Sequence, residues 1–267
     1  MVEAHLAGVW AKWQRAVEQL TTLSEEVTAF CSEPNPYGII SHENREHGRY
    51  RFEIYPAWQP GRVLRWGTII GEIVHDFRSA LDNLVWQLVV LNGREPDDGH
   101  SFPIRAEEPP EGFAVEMRRE GEGGRGRVRH GPLLGVSDDA LAIIEACQPY
   151  KGGNGLLLQR LHVLWNTDKH RHLAPVHVVA PPPHLLPRGS VTVLSRNDGF
   201  AGGAYVVEIT VPPGTQVDVD PQPPTDITFG EPHPIVLELQ QVGRVIIHEI
   251  LLPSADLFPG LSGVGHP

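Results

Sequence analysis

Leu6, Val9, Trp13, Ala16, Leu20, Leu23, Val27 and Phe30 recur at steps of 3, 4, 3, 4, 3, 4 and 3. That 3.5-residue period predicts one long helix over residues 3–31 with a seam that faces other helices. Such a seam suits a homodimer and an intramolecular bundle alike, and Asn35-Pro36 helps to end the helix. Alternation in YGIIS and RYRFEIY predicts a hairpin over 37–57. A second long helix is expected over about 66–92, its core face marked by Trp66, Ile70, Ile73, Phe77, Leu81, Leu84, Leu88 and Leu91. Beyond Asp82 nearly every side of it is apolar, so that end should be deeply buried.

Residues 105–135 carry no apolar period and change from acidic and Pro-rich to MRREGEGGRGRVRHG, which predicts a long mobile loop. Ser137, with Asp138 and Asp139 behind it, predicts a capped helix over 138–147. Another helix is expected over 156–170. From 173 to 230, VHVVA, SVTVLSRN, AYVVEITV and ITFG alternate with Gly/Pro-rich breaks and predict antiparallel strands. Residues 235–252 admit helix or strand. The steps of 4, 3, 4 and 4 through Ile235, Leu239, Val242, Ile246 and Ile250 favour helix, as does the loss of alternation at Gly243.

These elements predict an α+β fold: a four- to five-helix bundle with an inserted β-hairpin and a small antiparallel β-sheet. The expected bundle comprises 1–171 plus 235–255, with the hairpin insert at 37–57. Residues 172–234 are expected to form an antiparallel β insertion packed on it.

Composition bears on function more than on fold. The chain has 267 residues and a net charge of −11, which argues against a broad nucleic-acid-coating surface. Three lysines stand against 19 arginines, a bias that GC-rich coding produces without any functional cause. Two cysteines, Cys31 and Cys147, are too few for a disulfide framework and read as reduced thiols. No leader-like N-terminus and no apolar run near 18 residues is present, so the expected location is the cytoplasm and no membrane span is expected. The G-x-S-x-G, P-loop and Rossmann fingerprints are absent, and no cofactor is expected.

The candidate chemistry lies on two helices. Glu72, His75, Asp76, Ser79, Asp82 and Asn83 form one polar stripe flanked by Arg78, and Trp86 continues it toward an apolar end. Arg78 and Asp82 are i,i+4 neighbours able to pair. The second half is WNTDKHRH, 165–172, where Asn166, Lys169 and His170 share a polar face with Gln159 and His162. Asp168 falls on the core side and needs a partner there. Lys169, Arg171 and three imidazoles make this the strongest basic island of an acidic chain, suited to a phosphate or carboxylate. Capping of the helix C-terminus by the same cations is the plain alternative. A metal site built from His75, Asp82 and His162 or His170 is also conceivable, but no ligand set is assigned. The GRGRVRH stretch is readable as an anion-engaging flap or as a solvated loop.

GEIVHDFRSALDNLVWQL (71–88) and LWNTDKHRHL (164–173), with Phe102-Pro103-Ile104 and Gln148-Pro149-Tyr150, resemble a recurring type of actinobacterial and phage-associated protein. That resemblance covers most of the helical half and brings no activity with it. The late helix is also distantly similar to the HEPN-like class of helical RNases and nucleotide-binding proteins. Asn166 and His170 stand in comparable places, without the Arg that opens that class's motif.

The expectation is therefore a site for a small phosphate-bearing ligand, nucleotide or local RNA contact, with hydrolysis as an option. Arg78, Lys169 and Arg171 would neutralise the anion, and Asn83 and Asn166 would donate hydrogen bonds. His75 or His170 would handle the proton, with Asp82 or Asp168 orienting an imidazole. The competing expectation is a non-catalytic module whose polar residues form an inter-helix network.

Overall fold

The computed structural model describes residues 4–34, 37–56, 60–121, 130–170, 176–179, 184–186, 192–196, 205–220, 225–229 and 234–258. In chain order the elements are α1 (Ala7–Cys31), β1 (Tyr37–Asn44), β2 (Arg49–Pro56), α2 (Pro60–Leu91), α3 (Phe113–Met117), α4 (Asp138–Ala146), α5 (Gly155–His170), β3 (Val176–Val179), β4 (His184–Leu186), β5 (Thr192–Arg196), β6 (Tyr205–Thr210), β7 (Asp218–Asp220), β8 (Asp226–Phe229), α6 (Ile235–Val245) and α7 (Leu252–Ala255). The fold is α+β. Among the described residues no helix is long and apolar enough to cross a membrane.

Two compact units make up the chain: residues 1–20, 71–170 and 239–267, and residues 21–70 and 171–238. This differs from the expected division at 171/172, because the boundary cuts through α1, α2 and α6. The cause is strand pairing. Instead of standing alone as an insert, the 37–56 hairpin is half of a four-stranded antiparallel sheet ordered β1-β2-β6-β5. Strand β2 pairs with β6 from Arg49↔Thr210 to Ile54↔Tyr205.

In the sheet unit, period-2 alternation places Tyr50, Phe52, Ile54, Val207 and Ile209 inside. Gly48 closes the β1–β2 connection at φ +60, where a Cβ would meet the Val211 carbonyl at 1.9 Å. Two short ladders, β3 with β8 and β4 with β7, complete the strands. The second of these, HLL on DVD, carries too little apolar pattern to be read from sequence. Buried Asp226 on β8 accepts from Val236 and Leu237 N–H at 3.4 and 3.3 Å, capping α6 from outside its own sequence. Burial pushes its carboxyl up against the pull of those amides.

In the helical unit, the inner face of α2 is fully enclosed from Ile73 to Val89. Of the α1 seam, Leu6, Val9, Ala16 and Leu20 in this unit and Leu23, Val27 and Phe30 in the sheet unit are buried, and Trp13 is half-buried. Helix α4 begins as expected: Ser137 Oγ accepts from Ala140 N–H at 3.3 Å, with Asp138 and Asp139 in the first turn. The stretch 105–135 departs from the expected long loop. It contains α3, whose Phe113 and Met117 are buried, and Leu133 N–H and Gly131 N–H bond back to Met117 and Arg119 carbonyls at 2.8 Å. Apolar residues were too few there to show a period. Residues 122–129 of that stretch lie outside the described residues.

The region 235–252 is helical, with one irregularity. Between α6 and α7 the chain makes a π-helical turn, Ile246–Leu251. Pro253 explains it, since its ring has no N–H to give the Glu249 carbonyl four residues back. The Cys147 thiol donates to that carbonyl at 3.5 Å.

Candidate functional site

The polar stripe of α2 does not face one partner. At 100° per residue, Asp76 and Arg78 point about 160° apart, and the structure divides the stripe accordingly. On one edge Lys12 Nζ reaches Asp76 at 2.9 Å and Gln19 bonds Glu72, fastening α2 to the N-terminal part of α1. On the crest, Ser79 and His75 lie 3.3 Å apart, and both His75 and Asn83 face outward. Trp86 is 41% exposed, so the stripe stays at the surface instead of leading into the protein. A sequence cannot tell a wide polar face from a buried one when an aromatic ends it.

The other edge is a clamp. Arg78 is 7% exposed and its Nη2 lies 3.1 Å from Asp82 Oδ1. Both then grip one residue: Arg78 Nη2 donates to the Phe102 carbonyl, and Phe102 N–H donates to Asp82 Oδ1 at 2.8 Å. Fully buried Gln148 continues the grip on the same segment. Its Nε2 donates to Pro103 and Ile144 carbonyls at 2.9 and 3.0 Å, and its Oε1 accepts from Arg105 N–H at 2.9 Å. The R-S-A-L-D, F-P-I and Q-P-Y segments are thus joined by side chains holding an extended backbone that has no ladder of its own. Burial pulls the Arg78 pKa down and pushes that of Asp82 up, each against the pull of the other.

What the clamp leaves over is unusual. Arg78 Nε and Nη1 are buried and have no hydrogen-bond partner. The guanidinium carbon lies 5.5 Å from the Trp165 ring centre, and His162 packs on the same indole with centroids 6.3 Å apart. Asn166 Nδ2 stands 2.9 Å from His162 Nε2. With the amide nitrogen donating there, the imidazole proton is on Nδ1, and that atom too is buried without a partner. Burial first, and Arg78 second, hold the His162 pKa below the ordinary imidazole value. Three donors of one cluster therefore lack an acceptor among the described residues.

Of the expected site residues, Arg78, Asp82 and Asn166 belong to this cluster. His75 is close enough to Asp82 to oppose, as the smallest of several influences, the upward push of burial on its pKa, while Asn83 points to solvent. The side chains of Asp168, Lys169 and His170, and Arg171 altogether, lie outside the described residues. His162, expected on the polar face, in the basic island and as an alternative metal ligand, stands in this cluster beside Trp165.

A second cluster was not foreseen. Asp97, His100 and His130 bring three ligand atoms within 4.8 Å of one another. His130 Nε2 lies 2.8 and 3.0 Å from the two Asp97 carboxylate oxygens, and His100 Nδ1 lies 3.1 Å from Oδ1. The only sequence signal is the Asp97-x-x-His100 spacing, with the third residue thirty positions on. Gly99 N–H, the largest influence, and then His130 hold the Asp97 pKa down. Burial disfavours charge on His130, yet the Gly131 carbonyl and Asp97 hold its pKa up. In the sheet unit, a depression of about 350 Å³ is lined by His42, Glu43, Arg49, Arg51 and Glu208 among others. Its Arg51 is paired with Glu53 and Glu208 at 3.0 and 3.1 Å.

No family model matches this chain, and no curated protein or solved structure matches it either.

Proposed function

We propose that the Arg78–His162–Asn166 cluster over Trp165 binds one small phosphate-bearing ligand, a nucleotide among the candidates. The observation that supports this reading is the surplus of buried donors, Arg78 Nε and Nη1 and His162 Nδ1. An unmet buried donor costs about 1–3 kcal/mol and a charged one more, so natural interiors rarely keep three together. An oxyanion offers acceptor lone pairs to such donors and offsets the guanidinium charge that, among the described residues, Asp82 balances. Arg78 Nε and Nη1 lie on different edges of the guanidinium, with the engaged Nη2 between those edges, so each offers its own single charge-assisted hydrogen bond. Lys169 and Arg171 follow Asn166 closely in the sequence and carry further positive charge. The proposal is of binding: among the described residues His75 bonds Ser79, and Asp82 is engaged by Arg78 and Phe102.

A second reading has its own observation. Arg78 and Asp82 hold both backbone groups of Phe102, so the pair has a structural role whether or not a ligand binds. Calorimetric titration with inorganic phosphate and with AMP separates the two. The ligand reading expects saturable binding that is lost in Arg78→Lys and weakened about tenfold or more in His162→Phe, with native circular dichroism in both. Folded wild-type protein that takes up neither ligand, or variants that bind as wild type does, would leave the clamp as the whole role.

A further inference from the structure

We infer that Asp97, His100 and His130 form a site for a first-row divalent cation, with zinc the best match. Two imidazoles and one carboxylate are the donor set of three-ligand zinc sites that keep a position open, and two nitrogen donors select against magnesium and calcium.

Orientation carries the argument beyond mere proximity. Each imidazole is fixed through its outer nitrogen to a carbonyl of one turn: His130 Nδ1 to Gly131 at 2.7 Å, and His100 Nε2 to Leu134 at 2.9 Å. Metal-bound histidines are held in the same way, by a second bond that sets the tautomer and aims the ligating nitrogen. Here it turns His100 Nδ1 and His130 Nε2 toward one carboxylate. Ligands about 2.0 Å from a tetrahedral zinc stand about 3.3 Å from each other. The carboxylate-to-imidazole separations of 2.8, 3.0 and 3.1 Å need only a small expansion to admit the ion.

Two further features fit. His100 Nδ1 accepts from Asp97 N–H at 2.9 Å, so it presents a lone pair, which the ion would take over. Gly99 lies against the site: a Cβ there would stand 2.9 Å from His130 Cε1 and 3.1 Å from both His130 Nε2 and Asp97 Oδ1. The ring side is closed, with His100 and His130 side chains 5% and 8% exposed, while Asp97 is 60% exposed. An ion would therefore meet solvent through the carboxylate side, where a water completes its shell.

The test uses the full chain, stripped with a chelator and titrated with zinc by calorimetry, with bound metal counted by elemental analysis. One equivalent is expected, and Asp97→Asn and His130→Gln should each weaken it by more than about 100-fold. Should His130→Gln fail to fold, the solvent-exposed Asp97→Asn and the imidazole NMR signals of wild type still decide. Zinc must then shift the His100 and His130 resonances and spare the other 12 of the 14 histidines. Folded wild type that retains no zinc overturns the inference. So does one equivalent held equally by wild type and Asp97→Asn, which would place the ion elsewhere.

Discussion

The clusters around Arg78 and around Asp97 lie in the same compact unit and have opposite shortages. Near Arg78 the unmet atoms are all N–H groups, two from a guanidinium and one from His162. Near Asp97 two imidazole nitrogens and a carboxylate converge, and their outer bonds are already satisfied by main-chain carbonyls. Surplus donors call for an anion and convergent lone pairs for a cation. On the two proposed readings, the unit would carry two polar sites whose ligands cannot be exchanged. Only Ser101 separates His100 from Phe102, so both clusters fix successive parts of one chain segment.

The comparison is broken most forcefully by removing one charge from each side. Arg78→Met strands Asp82 and the Phe102 carbonyl, and is expected to cost about 3–5 kcal/mol in urea unfolding. Asp97→Asn, on an exposed carboxylate, should cost less than about 1 kcal/mol. Similar costs for the two would mean that Arg78 is no better buried than Asp97. A middle-sized effect is expected from Gly99→Ala, which forces His130 aside and should cost about 1–3 kcal/mol by the same measurement. The smallest effect concerns pH. Because the folded His162 pKa lies below its unfolded value, the unfolded chain takes up that proton more readily. Its contribution is intact above about pH 6.5 and is lost as the pH falls. Melting temperatures of wild type and His162→Gln should therefore converge on acidification. Parallel curves would show that His162 has the same pKa in the folded and unfolded chain.

The contrast also explains what the sequence disclosed. Arg78, Asp82 and Asn166 were legible because a helix turns spacing into direction, and i,i+4 neighbours must meet. His162 Nδ1 could not be recognised as an orphan, since only packing shows which donors lose water. Asp97, His100 and His130 sit in two connections whose approach is fixed by Gly99 and by the 131–134 turn, and neither has a period to read. Fold followed the same rule. The α1 seam and the Ser137 cap were written locally, whereas the pairing of β2 with β6 spans about 150 residues and moved the unit boundary.

Cys147 has so far figured as a thiol that serves the carbonyl Pro253 abandons. Burial, then Glu249, pushes its pKa up to about 11, and burial with Asp226 does the same for Cys31. The thiolate is the reactive form, so both are close to silent toward alkylation at neutral pH. One lies in each compact unit, Cys31 with the sheet and Cys147 with the helices. Buried Cys147 is consequently a built-in clock: the rate at which it is alkylated reports how often the helical unit opens.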